Sequence, residues 1–230
     1  MTNGSASALD SRCGAPLQAT GHVMPRIVFV EPSGPDFLAL RRHLRAGGFK
    51  ETLHLKHAQQ ALRQLKAGEC DLLVVTLDLP DIHGLELIVM LRQRGQLDPA
   101  TPVMVCSHRN TSLSIHQAVR VGISGFILLG DRLPLLGGAI ETLLAGGSVL
   151  PEHPPLCAED DPRLGIAREF SSHQIAVLHG FNRGHSASSL AEIFDLPGTA
   201  IDQCKGRLMR KMSASSLDEL LCICENIGLL

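Results

Sequence analysis

Asp71-Leu72-Leu73-Val74-Val75-Thr76-Leu77-Asp78-Leu79-Pro80-Asp81-Ile82-His83-Gly84 is the stretch on which the fold turns. Its first half is an apolar run of one strand's length with no polar alternation, so both faces of that strand are buried. Pro80 and Gly84 then punctuate a turn, and residues 85–91 take helical spacing. A strand buried on both faces and followed by a helix is the repeating unit of a parallel sheet.

The same unit recurs on either side. Upstream, Ile27-Val28-Phe29-Val30 is a short apolar strand. Pro35 and Asp36 then open an amphipathic helix over 37–44 that stops at Gly47-Gly48. Residues 52–55 form a second strand, and 58–65 a helix with Ala58, Ala61, Leu62 and Leu65 on one face. Downstream come a strand at 102–106, a helix at 112–121, a strand at 125–128 and a helix at 133–144. Five apolar strands alternating with five helices predict an α/β fold, a five-stranded doubly wound parallel sheet. Such sheets place functional groups at the carboxyl ends of their strands.

The flanks differ in texture. Residues 1–24 are small and polar and read as a disordered N-terminal tail. Residues 148–168 hold four prolines and an acidic run and read as a linker between the sheet unit, 25–147, and a second unit, 169–230. The second unit shows no strand pattern. Four short helices are expected there, at about 172–181, 187–194, 198–212 and 216–227, the last opened by a capping box of Ser216 and Glu219.

Composition narrows the function. Aromatic residues make up 3% of the chain, with no Trp and no Tyr, so the cores are aliphatic and stacking platforms for single-stranded nucleic acid are excluded. The net charge of −2 demands that any contact with nucleic acid rest on a local basic patch. The seven cysteines lack zinc-finger spacing and fit reduced thiols in a cytoplasmic protein. His54, His57, His83, His108 and His153 share no ligand spacing, so neither a metal nor a cofactor is expected. No signal peptide and no membrane span are apparent. No triad, phosphate-binding loop or paired carboxylates appear, so the chain does not read as an enzyme.

The strand-end residues over 25–146 resemble response-regulator receiver domains, which are flavodoxin-like in fold. In that family the third strand ends in a phospho-accepting aspartate, four residues before the proline of a Pro-x-x-x-Gly loop. Here Pro80 and Gly84 are present, and the accepting position holds Thr76. The family's acidic pair after the first strand reads Glu31-Pro32, and its lysine after the fifth strand reads Leu129. Only the hydroxyl after the fourth strand is kept, as Ser107. Aspartyl phosphorylation needs a carboxylate nucleophile and a cation held by neighbouring carboxylates. The resemblance therefore implies a degenerate phosphorylation pocket of Glu31, Pro32, Thr76, Ser107 and Leu129, in an atypical or pseudo-receiver. A register in which Asp78 accepts the phosphoryl group, and one in which Thr76 is a kinase target, remain open alternatives.

Residues 169–230 resemble the LuxR/FixJ (NarL-like) helix-turn-helix output domain of two-component systems. The family's opening motif is echoed from Phe170 to Leu178, and its scaffold motif from Gly184 through Ser186, Leu190 and Ala191 to Phe194. The recognition motif is echoed from Leu196 to Cys204, and the Leu-x-Arg-Lys-Leu ending by Leu208-Met209-Arg210-Lys211-Met212. The family's recognition threonine, lysine and histidine are here Ala200, Asp202 and Cys204. Segment 169–230 holds five basic and seven acidic residues, yet four of the five basic ones fall between Lys205 and Lys211. The DNA-contact candidates are Thr199, Asp202, Gln203, Lys205, Arg207, Arg210 and Lys211. Gln203 suits adenine edges, Lys205 and Arg207 suit guanine or phosphate, and Arg210 and Lys211 suit the backbone. Asp202 opposes phosphate.

The resemblance thus implies a cytoplasmic, DNA-binding transcription regulator that works without aspartyl phosphorylation. Double-stranded DNA and a second copy of the chain are the expected partners. The receiver-like unit would serve dimerisation or the sensing of a partner or ligand. A contrasting expectation is an adaptor or antagonist that pairs with another regulator and does not bind DNA.

Overall fold

The central strand β3 (Leu72–Thr76) is buried at all five positions, as its apolar run requires. In this computed structural model, residues 25–32, 38, 41–42, 44–45, 48–49, 52–108, 112–129, 136–151 and 162–230 are described. The expected tail, 1–24, lies outside them, as do 133–135 of the expected helix 133–144 and the acidic part of the expected linker. β3 is flanked by β1 (Ile27–Val30) and β4 (Val103–Ser107), with β2 (Thr52–Leu55) and β5 (Gly125–Leu128) outermost. The order is β2-β1-β3-β4-β5, all parallel. This is the doubly wound sheet read from the strand pattern.

Period-two alternation sends the strand side chains into two cores. Val28, Val30, Leu73, Val75, Val103, Val105 and Phe126 face one side. There they meet α1 (Ala58–Gln64), α2 (Gly84–Gln93) and α3 (Ser112–Val121). Ile27, Phe29, Leu72, Val74, Met104, Cys106 and Ile127 face the other, against Leu44 and α4 (Leu136–Leu144). The described residues between β1 and β2 include helical Leu38, Arg41, Arg42, Leu44 and Arg45, where an amphipathic helix was expected.

Gly84 opens α2 hard against the end of β3. A Cβ there would stand 2.2 Å from the Thr76 carbonyl oxygen and 3.1 Å from Leu77 Cα. The Gly84 amide donates to the Leu77 carbonyl at 2.8 Å. Only glycine allows this approach, which ties the loop after β3 to the start of α2.

The described ends of the segment read as a linker, 148–151 and 162–168, carry regular structure. Val149 donates to the Ser124 carbonyl and accepts from the Phe126 amide, adding one bridge beside β5. Pro162–Arg168 is a helix, α5. Its proline sits at the first helical position, where a missing N–H costs nothing. Ala167 on this helix is fully buried, so packing holds an element that composition argued against.

The remaining helices are α6 (Ser172–Asn182), α7 (Ala187–Phe194), α8 (Gly198–Met212) and α9 (Leu217–Asn226), matching the four expected. Ser171 and Gln174 close a full capping box on α6, and the Ser186 side chain caps α7. On α9 the box is half formed: Ser216 accepts from the Glu219 amide, whereas the Glu219 carboxylate accepts from the Ser215 amide at 2.7 Å. Among the described residues, no helix is long and apolar enough to cross a membrane.

Candidate functional site

The carboxyl edge of the sheet gathers the residues that follow each strand. Glu31 and Pro32 follow β1, Thr76 ends β3, Ser107 ends β4 and Leu129 follows β5. With Leu77, Asp78, Cys106 and His108 they line a cavity of about 130 Å³. The structure therefore brings together all five residues singled out at the strand ends. Thr76 is 9% exposed, and its Oγ1 is sealed from solvent with no hydrogen-bond partner among the described residues. Ser107 and Leu129 are also buried. Burial pushes the Cys106 thiol up to about 12, helped by the negative charge of Glu31, so at neutral pH it stays a thiol and not a nucleophilic thiolate. His54 holds Glu31 from β2: its Nε2 lies 2.9 Å from the Glu31 carbonyl oxygen and 3.8 Å from Oε2. Asp78 stands two residues past the strand end, exposed, with Oδ1 3.8 Å from Arg183 Nη2.

That last contact crosses between the two units, and it is one of several. Glu86, on α2 and buried, accepts from the Ser172 hydroxyl at 2.7 Å and pairs with His173 Nδ1 at 3.0 Å. Arg183 also donates to the Leu79 carbonyl. Gln117 of α3 donates to the Ala167 carbonyl at 3.2 Å, and Arg120 donates to that of Arg168. His83 and His179 stack with their ring centroids 4.2 Å apart. A single apolar cluster runs from the α2 and α3 face of the sheet into the helical unit, through Phe170, Ile175 and Leu178. Sequence reasoning did not find this seam. The one local signal is Glu86, an acid among Leu85, Leu87 and Ile88, all buried.

Helix α8 divides cleanly by face. Ile201, Cys204, Leu208 and Met212 are buried, at the spacing of an amphipathic helix. Thr199, Asp202, Gln203, Arg207, Arg210 and Lys211 are exposed, and Lys205 is half-buried. Lys205 Nζ pairs with Asp202 Oδ1 at 3.1 Å and lies 5.8 Å from the centre of the Phe181 ring. Lys211 Nζ stands 5.8 Å from the centre of the Phe170 ring. The Asp202 carboxylate, expected to oppose phosphate, thus has a cation beside it on its own helix. Burial raises the Cys204 pKa, with Arg207 acting against it, and the side chain faces the core instead of the exposed side of the helix.

A doubly wound sheet with a cavity at its carboxyl edge is thus joined to a helical unit whose α8 has one apolar face and one face bearing Arg207, Arg210 and Lys211. Residues 35–128 match the family of the response regulator receiver domain. A Pseudomonas aeruginosa protein named for transcriptional regulation is 25% identical over 201 residues, 86% of this chain and 96% of that protein. A two-component response regulator of the LuxR family from Aurantimonas sp. SI85-9A1 is 26% identical, with a TM-score of 0.50 over 55% of this chain and 89% of that one. RcsB from Salmonella enterica serovar Typhimurium, solved bound to promoter P1flhDC in the presence of a phosphomimetic, superposes with a TM-score of 0.64. It is 15% identical, over 90% of this chain and all of that one, and the likeness is one of fold. Residues 35–128 thus match the receiver domain, and over most of its length the chain is similar to transcriptional regulators of the response-regulator type.

Proposed function

We propose that this protein is a DNA-binding transcriptional regulator whose receiver-like unit, residues 25–147, works without aspartyl phosphorylation, and whose helix-turn-helix unit, residues 169–230, contacts double-stranded DNA as a dimer in the cytoplasm. The observation that carries the reading is Thr76, a hydroxyl at the end of β3 where the phosphoryl acceptor would need a carboxylate. Pro32 offers no ligand to a cation, and Leu129 offers no charge to a phosphoryl oxygen. Asp78 as acceptor is disfavoured by its place beyond the strand end and by its contact with Arg183.

The exposed face of α8 supports DNA contact through Thr199, Gln203, Arg207, Arg210 and Lys211, with Lys205 at its edge. Paired helix-turn-helix units read half-sites about 34–36 Å apart, which is why a dimer is the working form. The receiver-like unit then serves dimerisation or the sensing of a partner or ligand. The Asp202 carboxylate favours the second reading, an antagonist that pairs with another regulator without gripping DNA.

Gel shifts on genomic fragments across a salt series separate the two readings. A preferred fragment should emerge, and Arg207→Ala should flatten the salt slope by about one phosphate contact. Binding to no fragment above bulk DNA selects the antagonist. Incubation with acetyl phosphate and magnesium should leave the mass unchanged, and a phosphoryl adduct on Asp78 would overturn the phosphorylation-independent reading.

A further inference from the structure

The seam brings two donors from the loop after β3 together with a third that is distant in sequence. Asp78 follows β3, His83 stands immediately before α2, and His179 lies on α6 in the other unit. One carboxylate oxygen and two imidazole nitrogens, one from each residue, all lie within 4.8 Å of one another. The two imidazoles are 4% and 8% exposed. Their planes are 19° apart, and the carboxylate stands at the exposed mouth. The cleft they border, walled also by Leu77, Ser107 and Gln117, has a free volume of about 10 Å³. That is the scale of one water or one ion and far below that of an organic ligand.

We propose that Asp78, His83 and His179 form a binding site for one divalent transition-metal ion of the zinc class, held across the seam between the two units. Two imidazoles and a carboxylate are the donor set that zinc, cobalt and nickel favour, whereas magnesium and calcium take oxygen donors. Bonds of about 2.0–2.2 Å on a tetrahedral ion put the donors roughly 3.4 Å apart. Closure from 4.8 Å takes a rotation of the exposed Asp78 side chain and a turn of one imidazole, because stacked rings 19° apart point their nitrogen lone pairs alongside one another. Asp78 has a second carboxylate oxygen for the Arg183 guanidinium, which then serves as an outer partner that orients the ligand. A fourth position remains for water. Because the donors come from both units, the ion binds only the docked arrangement, and by linkage it favours docking. The spacing rule that excluded a metal in the sequence looks for neighbouring ligands, and it is blind to donors brought together only by the packing of the two units. The inference rests on that packing and not on DNA binding.

The test uses the full chain, stripped of metal with chelator and titrated with cobalt(II) as the spectroscopic probe. One cobalt per chain should bind, with visible d–d absorption and no thiolate-to-cobalt charge-transfer band, and zinc should displace it. Asp78→Ala, at an exposed residue, should keep the far-ultraviolet circular dichroism and weaken binding about tenfold or more. His179→Gln should do the same. Zinc should slow amide exchange in Gly84–Gln93 and Ser172–Asn182 of the wild type and leave the Asp78→Ala variant unchanged. Binding that survives both substitutions, a thiolate band pointing to exposed Cys222, or no cobalt spectrum at all would overturn the site. A failure of the gel shifts would leave these outcomes untouched.

Discussion

Replacing Thr76 by valine should stabilise the protein. Thr76 closes β3 with an Oγ1 that is sealed from solvent and has no hydrogen-bond partner among the described residues. In the unfolded chain that hydroxyl is hydrated, so folding removes its water without a compensating bond. A buried polar group in that state costs about 1–3 kcal/mol. Valine keeps the β-branch that suits a strand and replaces the hydroxyl with a methyl of similar size. The adjoining cavity of about 130 Å³ limits the new packing gained, so the lower end applies, about 1 kcal/mol. For a cooperative unit of 150–250 residues that corresponds to a rise in Tm of roughly 2–4 °C. The chain has no Trp and no Tyr, so unfolding in urea or with heat is followed by far-ultraviolet circular dichroism. Thr76→Asp should move the other way, because a carboxylate at this depth loses hydration. A loss of about 1 kcal/mol or more in Thr76→Val would refute the reasoning, since it would mean that the hydroxyl is bonded in the working protein and the pocket still holds a ligand.

Two further outcomes follow from the seam and from the start of α2. Glu86→Ala removes the acceptor shared by Ser172 and His173. At about 1.5–3 kcal/mol per charge-assisted bond, discounted because His173 is partly exposed, docking should weaken by about 2 kcal/mol, roughly 30-fold. Amide exchange in Gly84–Gln93 and Ser172–Asn182 should then rise, and unchanged exchange in both would count against the seam. Gly84→Ala forces a Cβ against the Thr76 carbonyl and should cost about 3 kcal/mol in urea unfolding, whereas a cost below about 1 kcal/mol would contradict the close approach.

The sheet was legible because its strands are buried on both faces. Ile27–Val30 and Leu72–Thr76 appear in the sequence as unbroken apolar runs, and no competing period masks them. Helix α8 was legible for a related reason: Ile201, Cys204, Leu208 and Met212 repeat at helical spacing. The five strand-end residues meet in one cavity because parallel strands all end on the same edge. Pro162–Arg168 was not legible, since proline content argued for a linker while the helix depends on the burial of Ala167. Nor was the seam. His83 and Glu86 sit at the start of α2 and His179 and Arg183 at the end of α6, and each looks like an ordinary polar residue in its own stretch. What joins them is how the helical unit sits on α2 and α3, a long-range relation that no local pattern encodes.

The arrangement of α8 bears on how such a protein can be controlled. The two units are packed together, yet the outward side of that helix, from Thr199 to Lys211, stays uncovered. Docking therefore leaves the proposed DNA-contact residues open. It fixes the direction in which the helix points relative to the sheet, so in a pair of copies the separation and tilt of the two helices are set by whatever holds the sheets together. In the proposed DNA-bound dimer, control is a matter of aim, in which a small rotation at the seam aligns both helices with successive grooves or leaves one of them out of step.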